Sequence, residues 1–210
     1  MMKKICIILM SILIISSCSE NTLKKNNNKN DDADIVTSSV NKTNIELITD
    51  SILLDSMNVD LYVQRARLNL ANEKVSHAIR DVNTALSLDR KNIDAHLVLA
   101  DIYYALGDDD NILLTLNKAC EYAPLDTRPI IKLSELSFLQ GNFRMAGAYI
   151  DKALELDKYN PKAYYMRGMI AISSNDTAAA LNNFMISRMQ QADFVDPLIQ
   201  IAHIYAAKDD

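Results

Sequence analysis

The sequence predicts an all-α protein built as a solenoid of antiparallel helix pairs. The first observation is a repeat: ALSLDRKN, from Ala85, returns as ALELDKYN, from Ala153, 68 residues later, which is twice 34. The second is that small and apolar residues recur at steps of three and four, as they do along one face of a helix. The third is that the 210 residues include only four glycines and four prolines, which disfavours a turn-rich β fold.

Four rows of 34 residues keep this register without an insertion. They cover residues 59–92, 93–126, 127–160 and 161–194, and we number the columns of each row from 1 to 34. Column 8 holds only small residues, which are Ala66, Ala100, Ser134 and Gly168. Column 27 does the same, with Ala85, Ala119, Ala153 and Ser187. Small side chains at these columns let helices approach closely, so we expect tight packing within and between rows.

Each row divides into two helices. The apolar and small columns fall at 4, 7, 8 and 11 and again at 20, 24, 27 and 28, with a break around column 15. That column holds Gly107, Gly141 and Asn175, which tolerate a left-handed backbone. An Asp or Asn follows each of them and suits the cap of the next helix. One hairpin leaves an apolar face uncovered, so neighbouring hairpins are expected to stack.

This pattern resembles the tetratricopeptide repeat (TPR). The second row is the closest match, with Leu99, Ala100, Tyr103, Gly107, Ala119 and Pro124 at consensus columns. The resemblance covers roughly residues 59–210. It implies a right-handed superhelix of antiparallel helix pairs whose first helices line a concave face. Arg65 and Arg167 depart from the pattern at the apolar column 7, and we expect their stems to cross the core with the charged heads outward.

The N-terminus has the parts of a secretory signal. Lys3 and Lys4 precede an apolar stretch of about a dozen residues, which is too short for a permanent membrane span. Ile15-Ser16-Ser17-Cys18 then resembles the bacterial lipobox. That resemblance implies that residues 1–17 are a lipoprotein signal peptide and that Cys18 carries lipid. A plain cleaved signal with an incidental cysteine is the alternative.

The segments flanking the repeats have their own predicted roles. Residues 18–43 are rich in Asn, Lys, Asp and Ser and are expected to form a flexible tether. Residues 44–58 resemble the end of a row and are interpreted as a degenerate capping helix. Residues 195–210 form a partial fifth row. Its single helix is either a cap or the start of a hairpin whose remainder is missing from this sequence.

No catalytic or metal-binding pattern stands out. The sequence contains no Gly-rich phosphate loop, HExxH, GxSxG or CxxC motif. His96 takes the packing position of an aromatic residue, and Asp108–Asp110 suit a helix cap better than a calcium site. Cys120 is interpreted as a small hydrophobic residue. We therefore expect no enzymatic activity, cofactor or metal. A net charge of −5 with no basic run argues against nucleic-acid binding.

The TPR resemblance also implies a partner-binding groove on the concave face. The predicted groove residues are Val63, Arg67, Leu97, Asp101, Tyr104, Ile131, Glu135, Phe138, Tyr165 and Met169. The Lys and Asn that grip a peptide carboxylate in one TPR class are absent, because column 5 is wholly apolar. We expect an apolar, aromatic strip suited to a helix or an extended peptide. Alternatively, neighbouring hairpins or the end of the array bury these residues.

These features together predict a lipid-anchored adaptor. It would face the periplasm from a bacterial membrane, with the outer membrane favoured, and bind a protein or peptide of the envelope. No small-molecule substrate is expected. Two alternatives stay open at this point, namely a regulatory module of a longer envelope enzyme and a hydrolase in its own right.

Overall fold

The computed structural model describes residues 43–207, in which all regular secondary structure is α-helical. The helices are α1 (Asn44–Leu54), α2 (Val59–Ala71), α3 (Val75–Leu88), α4 (Ile93–Leu106), α5 (Asp109–Tyr122), α6 (Thr127–Leu139), α7 (Phe143–Leu156), α8 (Pro161–Ser173), α9 (Thr177–Gln190) and α10 (Asp196–Ala206). The predicted signal peptide, Cys18 and nearly all of the predicted tether lie outside the described residues. No helix in the described part is long and apolar enough to cross a membrane.

The helices follow the 34-residue frame. The helices α2, α4, α6 and α8 begin at Val59, Ile93, Thr127 and Pro161, the first residues of the four rows. We call these and α10 first helices, and α3, α5, α7 and α9 second helices. Side chains cap three of these four starts. Asn92, Asp126 and Asn160 accept hydrogen bonds from the backbone N–H groups of Ala95, Arg128 and Ala163, at 2.9, 2.9 and 3.1 Å. The helix α2 begins without a side-chain cap.

The turn inside each hairpin uses a left-handed residue at column 15. Gly107 and Gly141 have φ of 70° and 76°, and Asn175 has 58°. Asp108, Asn142 and Asp176 then cap α5, α7 and α9 through their side chains. The first hairpin differs, because Glu73 occupies the left-handed position with φ of 59° and α3 begins without a side-chain cap. Left-handed backbone costs an ordinary residue about 1–2 kcal/mol.

Within each hairpin, column 8 of the first helix packs beside column 24 of the second. Both columns are buried in all four rows, and so is column 27. The two serines at these small columns satisfy their hydroxyl groups locally. Ser134 donates to the carbonyl of Ala146 at 2.9 Å, and Ser187 donates to that of Pro161 at 2.7 Å.

The hairpins stack in chain order around a shared core. Each second helix packs on the first helix of the next hairpin, α1 packs on α2 in the same way, and α10 packs on α9. Cys120 and Tyr149 touch the apolar clusters of two successive hairpins, and Tyr165 does so further along the chain. Neighbouring hairpins therefore cover one another's apolar faces, as expected of a stacked array.

Candidate functional site

The first helices lie on one side of the stacked hairpins and approach each other at two places. The pairs α2–α4 and α6–α8 contact each other directly, whereas no pair of consecutive second helices in the described residues makes comparable contact. At these two places the first helices lie closer together than the second helices do. We call their accessible side the inner surface. It is formed by Arg67, Asp94, Asp101, Tyr104, Arg128, Lys132, Glu135, Phe138, Lys162, Tyr165 and Met169.

Three of the predicted groove residues lie in the core instead. Val63, Leu97 and Ile131 are only 3%, 5% and 3% exposed, and each belongs to an apolar cluster. They are buried because column 5 lies where a first helix meets its neighbours. A partner cannot reach these side chains, so we do not count them in the inner surface.

Ion pairs cross the inner surface between successive hairpins. Asp94 of α4 accepts from Arg67 of α2 at 2.5 Å and from Arg128 of α6 at 3.1 Å. Further along, Lys132 of α6 pairs with Asp101 of α4 at 2.5 Å. Exposed pairs of this kind contribute about 0–1 kcal/mol each. Their main consequence is that Arg67 and Asp101, two predicted groove residues, already have partners within the chain.

Aromatic side chains continue the surface toward the C-terminal hairpins. Tyr104 is 47% exposed at the end of α4. Phe138 of α6 is half-buried, with the ring of Phe143 edge-on at 5.3 Å. Tyr165 of α8 lies between two further rings, those of Phe184 at 5.8 Å and Phe194 at 5.4 Å. These contacts hold the half-buried rings in place, as rigid binding anchors require.

Met169 is the last predicted groove residue and lies one turn beyond Tyr165 on α8. It is half-buried and packs against the apolar cluster that contains Phe184. Its thioether therefore continues the aromatic strip as a partly accessible apolar contact.

Glu135 lies within this aromatic part of the surface and forms no hydrogen bond to any described residue. Burial raises the pKa of its carboxyl group, although the positive charges of Lys132 and Lys162 act in the opposite direction. Burial likewise raises the pKa of Tyr165, with help from the negative charges of Asp196 and Glu135. A desolvated carboxyl without a donor is an acceptor that a bound partner can satisfy.

Charged residues at columns 2 and 6 belong to the inner surface but were not predicted as groove residues. Asp94 pairs with Arg67, and Lys132 pairs with Asp101, while Arg128 pairs with Asp94. None of Asp94, Arg128 and Lys132 was among the predicted groove residues. Column 2 carries a charge in every row, with Asp60, Asp94, Arg128 and Lys162. The charges at column 2, together with those that column 9 carries in three of the four rows, were the signal in the sequence for such ion pairs.

The expectation for Arg65 is also corrected. Its guanidinium group does not point outward but forms a bidentate ion pair with the carboxylate of Asp81 on α3, with contacts of 3.0 and 2.6 Å. Asn69 donates to the same carboxylate at 3.0 Å, and Arg65 also donates to Thr49 of α1 at 3.1 Å. The network is favoured because Asp81 also occupies a buried column, so both charges are satisfied together. Arg167, by contrast, meets the exposed Asp151 at 2.5 Å.

The described fold is similar to solved TPR structures. A thermophilic TPR protein from Thermus thermophilus matches with a TM-score of 0.69 at 18% identity, over 77% of this chain and 89% of that one. The pilF protein of Pseudomonas aeruginosa matches with a TM-score of 0.62 at 18% identity, over 72% and 69% of the two chains. YrrB, a TPR protein with an unusual peptide-binding site, matches with a TM-score of 0.51 at 19% identity, over 79% and 85%.

The comparisons by sequence are negative, since no family model and no curated protein sequence matches the chain. At identities of 18–19% the structural likeness shows the fold alone. The fold is a TPR-type solenoid of antiparallel helix pairs, and the predicted fold class is confirmed.

Proposed function

We propose that this chain is a lipid-anchored interaction scaffold whose inner surface holds an apolar helix or peptide of a partner protein. The scaffold faces the periplasm from a bacterial membrane, with the outer membrane favoured. The lipobox-like sequence ending at Cys18 supports the anchor. Two or three acyl chains on such a residue hold a protein firmly, whereas one gives marginal binding.

A single observation on the inner surface carries the binding role. The aromatic residues Tyr104, Phe138 and Tyr165 come from three successive first helices. Glu135, on the middle one of these helices, is close enough to Tyr165 to raise its pKa and forms no hydrogen bond within the described residues. The N-terminal half of the surface is different, because its charges are already paired within the chain. We therefore assign binding to the part between α4 and α8.

The chemistry of that part defines the partner segment. Its apolar side chains pack on the three aromatic rings, and an N–H donor of the segment meets the Glu135 carboxyl group. The donor is a backbone amide or a lysine or arginine side chain. YrrB, which has the same fold, is described as having an unusual peptide-binding site, and this supports a peptide rather than a small substrate as the ligand of the inner surface.

The lipid anchor then serves to recruit partner proteins to the membrane. Confinement to a membrane raises the effective concentration of the inner surface for partners that are themselves membrane-associated. We include in the proposal a role in assembling an envelope complex.

A capture experiment tests the binding surface. The full-length protein is used as bait in detergent-solubilised envelopes, alongside the double variant Tyr104→Ala/Phe138→Ala. We expect the double variant to lose the proteins that the wild type retains. The matched control is Tyr159→Ala/Leu125→Ala, which removes two exposed apolar side chains in turns between hairpins. Equal capture by the wild type and the Tyr104/Phe138 variant would show that the inner surface is not the binding site.

The anchor is tested separately with Cys18→Ala. The variant is expected to lose labelling by a fatty-acid analogue and to leave the membrane fraction. Density-gradient separation of the two membranes then locates the wild-type protein. Persistent labelling of the variant contradicts lipidation at Cys18 and leaves the binding proposal intact.

A further inference from the structure

Each end of the described array presents one helix of an incomplete pair. In every complete hairpin, one face of the first helix packs against one face of the second helix. Among the described residues, α1 has no first helix before it in its own row, and α10 has no second helix after it. Each end therefore leaves uncovered a helix face that a complete hairpin would bury.

Contacts inside the complete hairpins show which columns form this interface. The hydroxyl group of Ser134, at column 8, donates to the carbonyl of Ala146, at column 20, with a distance of 2.9 Å. The ring of His96, at column 4, lies 5.5 Å from that of Tyr122, at column 30 of the same row. Column 8 also packs beside column 24. Columns 4 and 8 of a first helix thus meet columns 20, 24 and 30 of its second helix.

The helix α1 has the register of a second helix. The 34-residue frame, extended toward the N-terminus, places Asn44, Ile48 and Leu54 at columns 20, 24 and 30. Columns 20 and 24 are buried in all four complete rows, but Asn44 is exposed and Ile48 is half-buried. Leu54 is 91% exposed. The face of α1 that belongs against a first helix is therefore uncovered.

The turn that follows α1 is the same as the turn between complete hairpins. The hydroxyl group of Tyr62 donates to the carbonyl of Ser56 at 3.0 Å, and that of Tyr164 donates to the carbonyl of Lys158 at 3.2 Å. Each tyrosine occupies column 4 and bonds six residues upstream, across the turn. The helix α1 is thus joined to α2 as α7 is joined to α8.

The sequence before α1 does not have the pattern of a first helix. In the extended frame a first helix would cover residues 25–37, with Asn28 at column 4 and Asp32 at column 8. Column 8 holds only small uncharged residues in the complete rows. An aspartate there would bury a charge, which is costly without a partner. These residues lie outside the described part of the chain, and their sequence predicts no partner for α1.

At the other end, α10 has the register of a first helix. Its buried residues, Pro197 and Ile204, occupy columns 3 and 10, and Ile204 belongs to an apolar cluster with residues of α9. Leu198 and Ala202 occupy columns 4 and 8. Leu198 is 48% exposed, and Ala202 is exposed although column 8 is buried in all four complete rows. The uncovered face of α10 is therefore the one that a second helix would cover.

The two uncovered faces are the two sides of one interface. If α1 of one copy packs on α10 of another as in a hairpin, Leu54 meets Leu198, while Asn44 and Ile48 meet Ala202. These contacts are mainly apolar, as inside the hairpins. The acidic side chains of the two helices occupy other columns, with Asp196 at 2, Glu46 at 22 and Asp50 at 26.

We propose that copies of this chain associate head to tail, with α1 of one copy serving as the second helix for α10 of the next. The contact is heterologous, so each added copy leaves one α1 and one α10 uncovered for further copies. One helix from each copy forms the interface, which places it at the small end of protein interfaces, about 1,200 Å² or less, and makes association in solution weak. Confinement by a lipid anchor would strengthen the association by raising the effective concentration.

This association goes beyond the proposed function and does not depend on it. The residues assigned to partner binding lie on the inner surface between α4 and α8, whereas the proposed contact uses only the two end helices. Its consequence is that several inner surfaces are presented side by side, so a partner with repeated segments would bind more tightly than one with a single segment.

Disulfide cross-linking between two differently tagged forms of the full-length chain tests the contact. One form carries Asn44→Cys and the other Ala202→Cys, and Cys120→Ala in both removes a half-buried native thiol. The two new cysteines are at the columns of Ala146 and Ser134, whose hydrogen bond indicates a separation that a disulfide can bridge. The forms are coexpressed, and intact cells are treated with a permeant oxidant. The parent with Cys120→Ala alone measures cross-linking through other cysteines.

We expect a disulfide-linked pair that contains one copy of each form, and no pair above the parent level when either form is expressed alone. Leu198→Glu in the Ala202→Cys form should lower the yield at least tenfold, because it places a carboxylate against Leu54. Ala206→Glu in the same form is the matched control, since column 12 lies outside the contact. Both positions are exposed in the described chain, so neither change should disturb folding.

Three results overturn the proposal. They are the absence of a mixed pair, a mixed pair that Leu198→Glu does not reduce, and a pair formed by the Ala202→Cys form alone, which would show a symmetric contact between two copies of α10. Adding Tyr104→Ala/Phe138→Ala to both forms separates this proposal from the binding role. The cross-link should persist in that background even if the capture of other proteins is lost.

Discussion

Gly168 of α8 lies directly against the ring of Phe184 of α9. A Cβ atom added at Gly168 would be 2.5 Å from Cε1 of that ring, closer than any real contact. The other rows place a larger residue than glycine at column 8 and a smaller one than phenylalanine at column 24. Those pairs are Ala66 with Val82, Ala100 with Leu116, and Ser134 with Ile150. The smallest residue of column 8 thus lies against the largest residue of column 24, as close packing between paired helices requires.

Gly168→Ala is therefore expected to destabilise the protein, although alanine is the better helix former. The propensity gain of about 1 kcal/mol is outweighed by overpacking of about 1–3 kcal/mol against a fully buried ring. We expect a net loss of about 1 kcal/mol in the free energy of unfolding, measured by urea denaturation.

The double variant Gly168→Ala/Phe184→Leu provides the control for that prediction. It recreates the pair that Ala100 and Leu116 form in the second row. The double variant should be more stable than the sum of the two single changes predicts, because the two positions share one contact. Strict additivity of the two effects would show that the contact does not limit this position.

Arg65→Leu is expected to cost about 3 kcal/mol of unfolding free energy. The change leaves the carboxylate of Asp81, whose side chain is only 8% exposed, without its cation. It also removes the bond from Arg65 to Thr49, so α1 should lose hydrogen-exchange protection before the other helices. Denaturation and hydrogen exchange together measure both effects.

A matched triple variant tests whether the unpaired carboxylate of Asp81 causes the loss of stability in Arg65→Leu. Arg65→Leu/Asn69→Tyr/Asp81→Thr installs the residues found at the same columns of the second row, which are Leu99, Tyr103 and Thr115. A neighbouring cavity of about 510 Å³ leaves room for the tyrosine. We expect most of the lost stability to return, since a buried ion pair can be replaced by packed neutral residues. A triple variant as unstable as Arg65→Leu alone would contradict this account.

Glu73→Gly is expected to stabilise the protein by about 0.5–1 kcal/mol. Glu73 occupies the left-handed turn position with φ of 59°, where two other rows have glycine. Glycine removes a strain of about 1–2 kcal/mol but adds conformational entropy to the unfolded chain. Glu73→Ala removes the charge and keeps the strain, so thermal denaturation should show no gain for it. An equal gain from both variants would point to charge instead of backbone conformation.

Glu135→Gln is expected to change how stability depends on pH. Because burial raises the folded-state pKa of Glu135 above its ordinary value of 4.5, the folded state binds more protons than the unfolded state between those two pKa values. Stability therefore falls as pH rises through that window. The variant lacks this loss, so its melting temperature should exceed that of the wild type at neutral pH.

The difference in melting temperature between Glu135→Gln and the wild type should shrink below pH 4.5. There the carboxyl group of Glu135 is protonated in both the folded and the unfolded state. Glu155→Gln on α7 controls for the removal of one negative charge from an exposed position. A constant offset between Glu135→Gln and the wild type across the whole pH range would contradict the assigned burial of Glu135.

The repeat and the ends of its helices could be predicted from the amino-acid sequence. The rows opened at Val59, Ile93, Thr127 and Pro161, and a first helix begins at each of these residues. Such signals are local, because a cap such as Asn92 bonds within its own turn and Gly107 sets its own φ. The lipobox and the tether are equally local patterns, but they lie outside the described residues and stay predictions.

Which side chains a partner can reach depends on how the hairpins pack and could not be predicted from the sequence. Column 5 looked like groove lining, yet Val63, Leu97 and Ile131 are buried because burial depends on the next hairpin as well as on the helix itself. Asp81 and Arg65 are 16 residues apart in sequence and meet only when α3 folds back on α2. The Nδ1 atom of His96 is buried without a hydrogen-bond partner in the described part of the chain, which is also a tertiary fact, since the rest of the molecule determines whether a polar atom finds a partner.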